Sequence, residues 1–176
     1  MEAEKENNMI RSTLCYIERD RCYLMLYRNK KKNDPNAGKW VGIGGKFEPG
    51  ESAEECLLRE VREETGFTLT SYKFLGIVEF RNDACEDEDM YLYLADGFTD
   101  ETTVCADTTA GRAEDAYMLP IPPCNEGDLK WIPKSKILSL NLWEGDRYFL
   151  EPMLRGETDL NMRLTYSGDT LLSVEK

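Results

Sequence analysis

Among its 176 residues the chain has no histidine. That single absence excludes Ser-His-Asp and Cys-His nucleophilic machinery and every metal site of the His-Glu-x-x-His kind, because each needs an imidazole. Its six cysteines stand singly at 15, 22, 56, 85, 105 and 124, with no Cys-x-x-Cys pair for a zinc knuckle or a thioredoxin-like redox centre. Reduced thiols and a cytoplasmic location are the expectation. No apolar run approaches the ~18 residues of a membrane span, and Met1 to Asn8 is polar and charged where a targeting segment would carry an apolar stretch, so no membrane is expected as a partner. Basic residues are also few: 22 Lys+Arg against 34 Asp+Glu leave a net charge of −12. A surface of that sign offers no electrostatic grip on a phosphate backbone, so no nucleic-acid partner is expected.

What remains is ordinary globular material. The chain is 41% hydrophobic and carries 3 Trp, 9 Tyr and 6 Phe, enough to offset chain entropy, and its length predicts a single domain over residues 1–176. Ser12 to Ile17 and Cys22 to Tyr27 read as a β-hairpin, followed by a basic loop, Arg28 to Lys32. Lys39 to Lys46 places glycines at 42, 44 and 45, a density that implies backbone brought close to something. Phe74 to Phe80 and Met90 to Phe98 read as strands, with the acidic run Glu86 to Asp89 between them as a solvated loop. Asp100 to Asp128 reads as a long irregular segment and Trp131 to Pro133 as a strand end. Asp146 to Arg155 reads as a helix interrupted by Pro152. Residues 157–176 close the chain as a hairpin turning at Ser167-Gly168-Asp169. Strands alternating with two good helices predict an α/β fold whose sheet is covered on both faces.

The clearest helix runs from Ser52, with Glu55 in capping-box spacing, to Gly66. On a wheel at about 100° per residue, Ala53, Cys56, Leu57 and Val61 occupy a sector about 140° wide. With Ala53 at zero, Glu60 falls near −20°, Glu64 near +20° and Glu63 at about −80°. Three carboxylates thus share the inward face, an arrangement that is costly unless cations compensate it. The helix follows directly on a glycine-rich loop that carries Lys46. All-oxygen ligands suit Mg²⁺, with Mn²⁺ able to substitute, and such ions bind substrate phosphates. The alternative is a surface helix whose acids pair with Arg59 and Arg62.

These residues carry a resemblance. Gly45, Glu51, Arg59-Glu60-Val61, Glu63-Glu64 and Gly66-Phe67 resemble the Nudix box GX5EX7REUXEEXGU over 45–67, with every fixed position present and Phe67 where an aliphatic residue is usual. Lys39-Trp40 before the box and Leu129 to Pro133 after it are also similar to the family, so the resemblance spans about 10–156. It implies a Nudix-like α/β/α sandwich with a mixed central sheet.

By the same resemblance Glu60, Glu63 and Glu64 are ligands of one to three Mg²⁺, joined by the carbonyl of Gly44, while Arg59 orients Glu51 and Glu63. Glu126 matches a loop glutamate that binds metal or serves as base in relatives. The reaction implied is attack of water on a diphosphate phosphorus of a small nucleotide substrate, releasing a nucleoside monophosphate and pyrophosphate. Lys46 and Arg28 are candidates to hold outer phosphates. Leu142 to Phe149 is similar to the Trp-containing base pocket of the MutT-type oxidised-purine triphosphatases: Trp143 matches the stacking residue and Asp146 the second of two edge-reading acids. Gly145 replaces the first acid, and Val41 stands where a base-reading Asn is usual. Trp131 reads as core. Hydrolysis of another nucleoside diphosphate derivative, such as ADP-ribose, a nucleotide sugar or a pterin triphosphate, stays open at this point, as do a non-catalytic binding module and the oligomeric state.

Overall fold

The computed structural model describes residues 9–100 and 123–176. Eight strands form one mixed sheet: β1 (Ile10–Arg19), β2 (Cys22–Arg28), β3 (Trp40–Val41), β4 (Phe67–Asn82), β5 (Glu88–Asp100), β6 (Gly127–Pro133), β7 (Met162–Ser167) and β8 (Thr170–Glu175). Their order is β3-β2-β1-β5-β4-β7-β8, with β6 paired to β2. β1 with β5 and β4 with β7 are parallel, and the other pairs are antiparallel. Among the described residues the sheet is joined by helices α1 (Ala53–Thr65) and α2 (Arg147–Leu154), with 3₁₀ segments at Lys134–Ser139 and Glu144–Asp146. Among the described residues no helix is long and apolar enough to cross a membrane.

Alternation along the central strands builds a core on each face of the sheet. Cys15 and Ile17 of β1 and Leu24 and Leu26 of β2 pack with Leu57 and Val61 of α1 and with Trp131. Tyr16, Tyr23 and Met25 point the other way, onto Ile137, Phe149, Leu150 and Met153 of the segment that holds α2. Period-2 strands with apolar residues on both faces require a cover on both faces, which gives the expected α/β/α sandwich.

Several boundaries differ from the sequence reading. β4 begins at Phe67, directly after the α1 cap; its first half escapes a reading by alternation because register shifts near Ser71 and Phe74 break the period, and Gly76, at φ 147°, has a conformation that suits glycine. The acidic run is not a loop throughout: Glu88 and Asp89 lie in β5, and Asp89 accepts a 2.9 Å bond from Arg81. Trp131 to Pro133 is the end of β6, as expected, and the strand begins further back, at Gly127. A Cβ at residue 127 would meet Tyr27 O at 1.9 Å, so only glycine lets the chain press onto β2 there. Most of the expected irregular segment 100–128 lies outside the described residues. The C-terminal hairpin forms as expected, and α2 spans Arg147–Leu154 with Pro152 inside it.

Candidate active site

α1 is set by local chemistry. The Ser52 hydroxyl accepts the Glu55 N–H, the Glu55 carboxylate accepts the Ser52 N–H, and Gly66 closes the helix at φ 75°. The glycine-rich strand lies along β1: Thr13 N donates to Gly45 O at 2.9 Å and Ile43 N to Cys15 O at 2.8 Å. A Cβ on Gly44 would fall 1.8 Å from Thr13 O, and one on Gly45 would fall 2.5 Å from the Glu60 carboxylate. The glycines therefore allow two close approaches, of backbone to β1 and of Glu60 to the backbone.

The structure distributes the helix acids unequally. Glu64 is buried and accepts the Gly44 N–H at 3.1 Å. Glu60 is part-buried beneath Gly45 and takes Arg59 Nη1 at 2.8 Å. Glu63 departs from the expected inward trio: its side chain is 58% exposed and meets Arg59 at 3.2 Å. Its place at the margin of the apolar sector is the reason, since a side chain there can turn to solvent and to Arg59 at i−4. Arg59 is the hub, with Nε and Nη2 on the two oxygens of Glu51 at 2.6 and 2.9 Å and Nη2 also on Lys46 O at 3.1 Å. That bidentate pair holds Glu51 down to about 2. The Lys46 side chain is exposed.

Glu126, 62 residues beyond Glu64 in sequence, completes the group from the turn before β6. Its carboxylate stands in hydrogen-bonding contact with Glu64. Burial, and then that neighbour, push Glu64 up to about 9. Burial works against ionisation of Glu126 too, but bonds from Lys31 and from Glu64, with the charge of Arg28, bring it below its ordinary value. Arg28 does not stand free: Nε donates to Asp34 and Nη1 to Glu126, each at 2.7 Å. Lys31 and Asp34 are functional neighbours that the sequence reading missed. The basic loop was a signal for Lys31; Asp34 had none.

The donors gathered here are carboxylate oxygens, the set that Mg²⁺ and Mn²⁺ take. Glu64 and Glu126 in contact need a proton or a cation between them, so the residues fit a divalent ion. Among the described residues no three Asp, Glu, Cys or His side chains close on one point. Such an open arrangement suits an ion that uses one or two carboxylates and keeps its waters for substrate.

A second group lies beyond the strand carrying Val41, which pairs with Leu26. Trp143 Nε1 donates to Asn36 at 2.8 Å, Lys39 Nζ sits 5.0 Å from the ring centroid, and Tyr166 meets the ring edge-on at 6.1 Å. Asp146 is buried, and burial pushes it up to about 7 against the pull of Lys39. The glycine at 145 has a steric cause: its N–H donates to the Tyr166 hydroxyl at 2.7 Å, and a Cβ there would lie 2.5 Å from that oxygen. Tyr166, which no local pattern marks, fills the space a side chain at 145 would need.

Comparison with known proteins agrees with this architecture. The NUDIX domain family matches residues 9–152. The chain is 28% identical over 166 residues to the uncharacterized Nudix hydrolase YvcI of Bacillus subtilis, covering 90% of this chain and 88% of that one. It is 29% identical over 135 residues to the oxidized purine nucleoside triphosphate hydrolase of Danio rerio, covering 74% and 86%. The crystal structure of the MutT protein from Bacillus halodurans superposes with a TM-score of 0.73 at 26% identity, over 94% of this chain and 96% of that one. With an intact box laid out on an α/β/α sandwich, the chain belongs to the Nudix hydrolases, enzymes that act on pyrophosphate bonds of nucleotide-type substrates and generally use divalent metals.

Proposed function

We propose that the protein hydrolyses a purine nucleoside triphosphate, of the oxidised kind represented by 8-oxo-dGTP, to the nucleoside monophosphate and pyrophosphate, with Mg²⁺ as cofactor and a role in cleansing the nucleotide pool. The observation that carries the hydrolytic part is the contact of Glu64 with Glu126 beside the Gly44 backbone, with Glu60 nearby against Gly45. Glu60, Glu64 and Glu126 would hold the ion, with the Gly44 carbonyl, and Glu63 would join from the rim. A bound divalent ion supplies charge neutralisation of the phosphates and acidifies a coordinated water. The chain's own residues do the rest. Arg59 fixes Glu51 and Glu60, Glu126 would ligate the ion or take a proton, and exposed Lys46 would reach an outer phosphate.

The purine reading is supported by Trp143 and buried Asp146 on one segment, and by the similarity to the oxidized purine nucleoside triphosphate hydrolase of Danio rerio. Val41 offers no side-chain hydrogen bond and Gly145 no carboxyl. Edge recognition then falls mainly to Asp146, and the preference for 8-oxo-dGTP over dGTP is modest. A substrate panel with product identification tests this. Turnover of purine triphosphates to monophosphate and pyrophosphate is expected, and a protein that ignores them while cleaving ADP-ribose refutes it.

A further inference from the structure

Arg28 ends β2 opposite Gly127 in the β2/β6 register, and the close approach that Gly127 permits brings the preceding residue, Glu126, alongside it. The Arg28 backbone is tied on both sides, Gly38 N donating to Arg28 O at 2.8 Å and Arg28 N to Lys39 O at 3.0 Å. Its guanidinium bridges two carboxylates, Nε to Asp34 and Nη1 to Glu126. Asp34 is the more fixed of the two: its side chain is 2% exposed, and its other oxygen accepts the Asn36 N–H at 2.9 Å. Lys31 takes the remaining Glu126 oxygen at 2.5 Å. Arg28 itself is 15% exposed, and its Nε and Nη1 are spent on these carboxylates.

We propose that Arg28, held in turn by Asp34, is a positioning residue that fixes the Glu126 carboxylate against Glu64 in ligating position, and that it is not a phosphate contact. The proposal rests on the reading of Glu126 as a cation ligand. A planar guanidinium with donors at fixed angles can hold Asp34 and Glu126 at once, whereas the point charge of lysine reaches one of them. Arg28→Lys therefore keeps the charge and loses the bridge. Asp34→Asn keeps Arg28 and loosens its anchor.

The test is Mn²⁺ affinity without nucleotide, read by electron paramagnetic resonance of the free ion. It is run on wild type, Arg28→Lys, Asp34→Asn, Glu126→Gln and the Arg28→Lys/Glu126→Gln double variant. Loss of such supporting partners typically weakens metal binding about 10–100-fold. Arg28→Lys is expected in that range and Asp34→Asn several-fold weaker than wild type. The double variant is expected to be no weaker than Glu126→Gln alone. Thermal unfolding in chelator checks each fold, and Asp34→Asn carries the test if Arg28→Lys does not fold. With dGTP and saturating Mg²⁺, Arg28→Lys should lower kcat and leave KM within about threefold. Wild-type Mn²⁺ affinity in Glu126→Gln would show that the reading of Glu126 fails. A weakened Glu126→Gln beside wild-type Arg28→Lys and Asp34→Asn would overturn the clamp itself. So would a raised KM in Arg28→Lys with unchanged Mn²⁺ affinity, since that marks a phosphate contact.

Discussion

Glu64→Gln should make the metal-free protein more stable at alkaline pH, and the structure sets the size of the effect. The Glu64 carboxyl is buried against Gly44 N–H and Glu126, and its pKa rises from 4.5 to about 9. An acid with a raised folded pKa gives stability that is complete below the unfolded value and is lost as pH climbs through the folded one. Between about 5 and 8 the folded chain holds nearly one more proton than the unfolded chain at this site, so stability falls by up to about 1.4 kcal/mol per pH unit. Across three units the ceiling is about 4 kcal/mol. Glu126 offsets little of this loss, because its pKa moves down and its titration lies mostly below that window. Urea unfolding in chelator at pH 5, 6, 7 and 8 reads the effect as the difference between wild type and Glu64→Gln, which removes contributions from other titrating groups. The difference should widen steadily with pH in favour of the variant. Adding Mg²⁺ at pH 8 should then stabilise wild type by about 2.7 kcal/mol at a hundredfold excess over Kd, and the variant far less. A wild-type-minus-variant difference that stays flat from pH 5 to 8 would refute the argument.

Glu60→Gln should cut kcat by orders of magnitude at saturating Mg²⁺ with the fold retained, and near-wild-type steady-state turnover would remove α1 as the metal site. Trp143→Ala should raise KM for all purine triphosphates alike by an amount equivalent to roughly 1–3 kcal/mol of stacking. Asp146→Asn should instead change the ratio of kcat/KM between 8-oxo-dGTP and dGTP. Gly145→Ala should cost about 1–3 kcal/mol in urea unfolding, since its methyl would lie 2.5 Å from the Tyr166 oxygen. In a Tyr166→Phe background the same substitution should cost measurably less.

Legibility in the sequence follows the range of the forces involved. α1 was readable to its ends because the capping box, the amphipathic sector and Gly66 all act within a turn or two. The wheel put Glu60 and Glu64 on the inner face, but it could not say that Glu63, at the margin, would turn outward to Arg59. β4 hid behind register shifts that erase period-2 alternation. The acid at 89 looked solvated because its pairing depends on Arg81 of the neighbouring strand. The glycines at 42–45 correctly signalled close approach, though only the fold identifies β1 and Glu60 as what is approached. Arg28 and Glu126 meet across 98 residues, and Gly145 and Tyr166 across 21. Neither pair leaves a periodic trace, so the clamp and the steric reason for Gly145 emerge only from strand register.

An acidic chain that handles a polyanion must ration its cations, and their allocation here is specific. Glu51 takes two guanidinium nitrogens of Arg59, Glu60 and Glu63 share the third, and Glu126 takes Arg28 and Lys31. Glu64 is the exception within the box: among the described residues its hydrogen bonds come from a backbone N–H and from contact with another carboxylate. It is also the most buried of these five acids and the one whose ionisation is most strongly opposed. Charge balance at that point has to be supplied from outside the chain, by a proton when the ion is absent and by the ion when it is bound. Removing the Glu64 charge should therefore weaken metal binding more than removing the charge of Glu63, which Arg59 and solvent already compensate.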